Sequence, residues 1–137
     1  MNIILDTNVV LDALLDREPY SDVAIAILDL VESKKVTGYL AGTTVTTIFY
    51  LVQKSATDKK ARKIIEDLLT LFKVAPVDED ILKASLKNEF KDYEDGVIHE
   101  AALKVNAELI VTRNLKDFKY SKIPVLSPVE FISSIQL

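Results

Sequence analysis

Short apolar runs recur along this chain of 137 residues at Asn2–Leu5, Thr37–Ala41, Lys73–Val77, Leu109–Thr112 and Pro124–Leu126, each separated from the next by a segment that reads as helical or turn. The runs are strand-sized. Most are continuous rather than alternating with polar residues, so they are expected to be buried on both faces. Strands that alternate with helices predict a parallel sheet with helices packed on both sides, an α/β fold of three layers. In open sheets of this kind ligands collect outside the carboxyl ends of the strands, near the point where strand order reverses. Polar residues just beyond the strands are therefore the first candidates for function.

The intervening segments support the same reading. Asn8–Leu15 predicts a short, largely buried helix ended by Arg17-Glu18-Pro19, and Ser21 suits the N-cap of a helix running to about Lys34. Thr43 or Thr44 begins a third helix through Leu51, rich in β-branched residues, and Asp58 opens an amphipathic fourth with Ala61, Ile64, Ile65, Leu68 and Phe72 on one side. Asp78 or Asp80 starts a helix through about Asn88, Asp92 or Tyr93 one through Val105, and Pro128 sits at the first position of a last helix ending at Ile135. The length fits one domain, residues 1–137, large enough for a hydrophobic core of its own.

Three acids stand where the strand-end rule points. Asp6 follows the first strand directly, Asp95 lies in the first turn of the helix after Lys91, and Asp117 lies just past the fourth strand. Each alone has an ordinary explanation, as a helix cap or as a charge that complements a helix dipole. Gathered at one edge, they form a set of hard oxygen donors suited to Mg²⁺ or Mn²⁺, and such a cation activates water and clamps a phosphodiester. The absence of cysteine removes thiolate zinc sites and cysteine nucleophiles, and is consistent with a reducing cytoplasm. No apolar stretch approaches the roughly 20 residues of a membrane-spanning helix, and the first residues lack the basic start of a secretory signal. The net charge of −4 excludes nucleic-acid binding by bulk charge alone, so any phosphate grip has to be local.

The segments Ile3-Ile4-Leu5-Asp6-Thr7-Asn8-Val9-Val10-Leu11-Asp12, Asp92-Tyr93-Glu94-Asp95-Gly96 and Ile110-Val111-Thr112-Arg113-Asn114-Leu115-Lys116-Asp117-Phe118, in this order and at this separation, resemble the PIN domain. The resemblance extends to the closing Pro124-Val125-Leu126-Ser127-Pro128 and is nearest to the bacterial and archaeal members that include VapC-type toxins. It implies a central five-stranded parallel sheet and metal-dependent cleavage of single-stranded RNA. It also implies frequent homodimers and an antitoxin protein that blocks the site. By motif, Asp6, Asp95 and Asp117 match the family's catalytic and metal-binding acids, with Thr112 and Asn114 as polar supports. One expected ligand is missing: PIN domains usually carry a Glu in the middle helix, and here Thr47 stands in its place. Glu94 or Asp92, both close to Asp95, is the candidate replacement.

Asn8 either orients Asp6, donates to a phosphate or caps the first helix, while Arg17, Arg113 and Lys116 are the candidate RNA contacts beside the acids. Tyr20 and Tyr50 are candidates for contact with an unpaired base, although core packing is the better expectation for Tyr50. Asp12 and Asp16 lie along the first helix and read as structural. His99, the only histidine, shares a helix face with Asp95, but a structural role is expected because a cation itself lowers the pKa of water. A phosphatase with an aspartyl nucleophile wants a second Asp two residues on, where this chain has Asn8. The alternative to a ribonuclease toxin is a catalytically weak or inactive PIN fold that binds RNA or protein.

Overall fold

The computed structural model describes residues 1–135. Its centre is a five-stranded, all-parallel sheet of strands β1 (Asn2–Leu5), β2 (Thr37–Ala41), β3 (Lys73–Ala75), β4 (Leu109–Val111) and β5 (Val125–Leu126) in the order β3-β2-β1-β4-β5. The helices are α1 (Thr7–Leu14), α2 (Ser21–Glu32), α3 (Gly42–Ser55), α4 (Asp58–Leu71), α5 (Glu79–Ser85), α6 (Tyr93–Lys104) and α7 (Pro128–Ile135), with a 3-10 turn at Leu115–Phe118. The expected three-layer α/β architecture is what forms.

Alternation along β1 divides the interior. Ile3 and Leu5 point into a core closed by α1, α2, α3, α4 and α7, where Val9, Ile27, Ile48, Leu68 and Phe131 are buried. Ile4 points the other way, into a core with Ile81, Val97, Ile98, Ala101 and Phe118 from α5, α6 and the 3-10 turn. Because both faces are covered at the centre of the sheet, β1 and β4 carry apolar residues almost continuously, whereas the edge strand β3 leaves Lys73 and Val74 exposed. On β2, Gly38 lets α2 and α4 come close: a Cβ there would sit 2.7 Å from the Phe72 ring and 2.9 Å from Val31.

Several boundaries differ from the sequence expectation. Helix α3 runs to Ser55 rather than Leu51, because Thr44, Ile48 and Val52 recur every fourth residue as its buried stripe and carry it past the apolar stretch. Strand β3 stops at Ala75 and α5 at Ser85, both earlier than expected. The expected cap at Ser21 does not form: Ser21 is the first residue of α2, after Tyr20 at the N-cap position, and its hydroxyl donates to Glu18 at 2.9 Å, whereas two other caps agree. Asp78 and Asp92 accept from the backbone N–H of Ile81 and Asp95 at the starts of α5 and α6.

The strand order sets the position of the site. From β1 the chain builds outward through β2 and β3, then returns to the opposite side of β1 for β4 and β5. Order reverses between β1 and β4, and the crevice beyond their carboxyl ends is the expected ligand position in an open α/β sheet.

Candidate metal centre

Asp6 occupies that crevice. It is the N-cap residue of α1, yet its side chain caps nothing. Instead one carboxylate oxygen, Oδ2, accepts a hydrogen bond of 2.8 Å from the Thr112 hydroxyl, which projects from the end of β4. Adjacent strands thus bring together residues 106 positions apart. Asp6 is 3% exposed. Burial raises its pKa above the ordinary 3.8, while the hydrogen bonds from Thr112 and from the Thr7 backbone oppose the rise.

Asp95 enters from the first turn of α6 and Asp117 from the 3-10 turn after β4. With Asp6, Asp92, Glu94, Asn8, Thr47 and Asn114 they line one cleft of about 260 Å³. That cleft has five carboxylates and, among the described residues, no lysine, arginine or histidine on its walls. The Asp95 carboxyl feels the crowding most. Its pKa is pushed up to about 7, first by burial and then by the charges of Asp6, Asp92, Asp117 and Glu94.

The two candidate replacements for the middle-helix Glu behave differently. Asp92 spends its carboxylate capping α6, accepting from the Asp95 backbone N–H at 3.0 Å. Glu94 reaches across the cleft. One oxygen accepts from the Thr7 hydroxyl at 3.1 Å and the other from the Thr47 hydroxyl of α3 at 3.3 Å. Since Thr7 donates to Glu94, the buried Thr44 hydroxyl, 2.9 Å from Thr7, donates to Thr7 in turn. Glu94 therefore hangs on hydroxyls of α1 and α3, beside the position at which the missing Glu is expected. Thr7 and Thr44 gave no signal in the sequence, because their meeting depends on how α1 packs against α3.

The donor set suits a hard divalent cation, being all oxygen with no thiolate or imidazole. Among the described residues no three acids converge tightly enough to form a ready-made cage.

The candidate RNA contacts separate. Lys116 lines a neighbouring groove that shares Asp92, Asp95 and Asp117 with the acidic cleft. Arg113 is bound to Asp12, its Nε donating to Oδ2 at 2.8 Å and Nη2 to Oδ1 at 3.4 Å, and its guanidinium stacks 4.2 Å from the centre of the Tyr20 ring. Arg17 lies 3.7 Å from the same Asp12 carboxylate and donates to the Asn8 side chain at 3.3 Å. Asp12, 1% exposed, is thus structural as expected, but it also orders both arginines. Tyr50 is exposed, with the Lys54 ammonium over its ring. His99 is buried away from the cleft. Its Nε2 accepts from the Lys122 backbone N–H at 3.0 Å, which leaves Nδ1 to donate to Glu100 at 2.8 Å.

Comparison with known proteins adds context to this geometry. A family model described as PIN domain matches residues 2–116. No curated protein matches the chain. Among solved structures, a toxin–antitoxin complex from Klebsiella pneumoniae is similar at a TM-score of 0.68 and 25% identity, over 92% of this chain and 97% of that one. VapBC2 from Rickettsia felis, bound to a DNA fragment from its promoter, is similar at 0.70 and 18% identity, over 93% and 98%. VapC20 of Mycobacterium tuberculosis, a toxin that cleaves the sarcin-ricin loop, is similar at 0.66 and 12% identity, over 89% and 98%.

Proposed function

The chain belongs to the PIN-domain family, and from that premise we propose that it is a ribonuclease that uses Mg²⁺ or Mn²⁺ to cleave single-stranded RNA, acting as the toxin of a toxin–antitoxin pair. The observation that carries this reading is the cleft at the β1–β4 switch point, where five carboxylates crowd together without a basic neighbour on its walls among the described residues. Carboxylates left in this state favour a cation.

In this reading Asp6, Asp95 and Asp117 hold the cation, and Glu94 supplies the fourth acid from α6 instead of α3. A divalent ion bound there supplies water activation and stabilises charge on the phosphodiester. Thr112 fixes the Asp6 carboxylate, while Thr7 and Thr47 fix Glu94. Asn8 and Asn114, neutral and on the cleft wall, offer polar contacts to an incoming phosphate without adding negative charge. Arg17, which donates to the cleft-lining Asn8, and Arg113, whose charge acts on Asp6, supply positive charge nearby.

The similarity to a toxin–antitoxin complex and to VapBC2 supports an antitoxin protein as partner. The family resemblance supports a homodimer in the cytoplasm, and no helix is long and apolar enough to cross a membrane among the described residues. The test is cleavage of single-stranded RNA with and without Mg²⁺ or Mn²⁺. Metal-dependent cleavage that disappears in Asp6→Asn and Asp95→Asn is the expected result, and equal cleavage by these variants and the native chain rejects the proposal. The role of Glu94 has its own check. Glu94→Gln should weaken Mn²⁺ binding measured by calorimetry, and adding Thr47→Glu to that variant should restore it by returning the carboxylate to α3.

A further inference from the structure

A groove of about 610 Å³ adjoins the acidic cleft, sharing Asp92, Asp95 and Asp117 with it, and its other walls differ in chemistry. Besides the shared acids it is lined by Lys91, Lys116 and Lys119 with the rings of Phe90 and Tyr120, and Glu89 is its one further acid.

The two rings are held differently. Phe90 is fixed from the protein interior, its ring edge-on to the buried Phe118 at 5.4 Å between centroids and 4.9 Å from the buried His99. Tyr120 belongs to neither hydrophobic core and is 49% exposed, with the Lys119 ammonium 5.1 Å from its ring centre. Core packing therefore accounts for Phe90 but not for Tyr120. An exposed ring beside lysines in a groove is what an unpaired nucleotide requires: a face for the base and cations for its phosphates. The volume also lies within the range of ordinary small-ligand sites.

We propose that this groove is a nucleotide subsite, in which an unpaired base of the RNA stacks on Tyr120 while Lys116 and Lys119 hold the flanking phosphates. Its continuity with the acidic cleft puts that nucleotide next to the bond to be cleaved. The inference rests on the ribonuclease reading and adds to it a place for a nucleotide beside the acidic cleft.

The experiment uses the full chain and a short single-stranded RNA carrying 2-aminopurine, whose fluorescence falls when the base stacks. The chain has no tryptophan to interfere. In metal-free buffer, native protein and Tyr120→Phe are expected to quench the probe. Tyr120→Leu, at an exposed position that should not disturb folding, is expected to lose the quenching and to bind about tenfold more weakly. Lys119→Ala should keep the quenching and reduce the slope of log affinity against log salt by about 0.7, the signature of one lost phosphate contact on a single strand. Equal quenching by native protein and Tyr120→Leu overturns the subsite. If that happens while the native chain still cleaves RNA, the ribonuclease reading survives, whereas a native chain that neither binds nor cleaves RNA removes both. Unchanged RNA affinity in Tyr120→Leu, with binding of a partner protein lost, reassigns the groove to a polypeptide.

Discussion

Ionising Asp95 works against the fold that positions it. Its carboxyl titrates at about 7 instead of 3.8, because burial and four neighbouring acids disfavour the charge. Between those two values the folded chain holds a proton that the unfolded chain releases, so the stability of the metal-free protein falls as pH rises through this window and stays lower above it. Asp6 is raised as well and acts in the same direction. Asp95→Asn, which carries no charge at any pH, is therefore expected to raise the metal-free Tm above pH 7 by about 3 °C and to change it little near pH 4. Thermal melts of both proteins in EDTA across this range decide the matter: a variant less stable than the native chain above pH 7 would show that the charged carboxylate is a net stabiliser. Cation binding requires the ionised form, so apparent Mn²⁺ affinity is expected to climb over the same interval.

Helix α1 illustrates which parts of the structure were legible in the sequence. Its strand-end acid, Asp6, was visible because the apolar run before it stops abruptly at a charge. The role of Asp12 was only half visible. A position on a short helix is easily read as structural, but its partner Arg113 lies 101 residues away and meets it only once β4 lies beside β1. The Thr44–Thr7–Glu94 hydroxyl chain was hidden for the same reason, while the Asp92 cap and Pro128 at the start of α7 were readable because their chemistry is local. The buried Asp12 carboxylate gives α1 a measurable dependence on this long-range contact. Arg113→Met leaves Asp12 with Arg17 alone at 3.7 Å and should cost about 3 kcal/mol, the range for breaking a buried pair. Asp12→Leu combined with Arg113→Met should recover much of that loss, because no charge is then stranded. Denaturant midpoints of the two single variants and the double variant test this, and strictly additive losses would show that the two side chains are not coupled.

At the scale of the molecule, the candidate metal centre sits beside the hydrophobic cores rather than inside them. Asp6, Glu94, Asp95 and Asp117 belong to neither core, and of the cleft's lining only Leu11 and Leu51 also pack into one. The apolar contacts that hold the sheet between its helices are complete without any ion, in contrast to small metal-dependent domains that unfold when stripped. Removing metal with EDTA should accordingly leave a cooperatively folded protein. Adding Mn²⁺ should relieve the repulsion among the carboxylates and stabilise the fold by mass action, by roughly 2.7 kcal/mol at a hundredfold excess over Kd, or about 8 °C in Tm. Asp6→Asn should abolish that response without lowering the EDTA melting temperature, since the charge it removes is itself disfavoured by burial. Calorimetric scans with EDTA, Mg²⁺ and Mn²⁺ separate the possibilities. Unfolding on chelation would make the cation part of the fold's own support, and a Tm indifferent to either metal would remove the chemical basis for cleavage at this cleft.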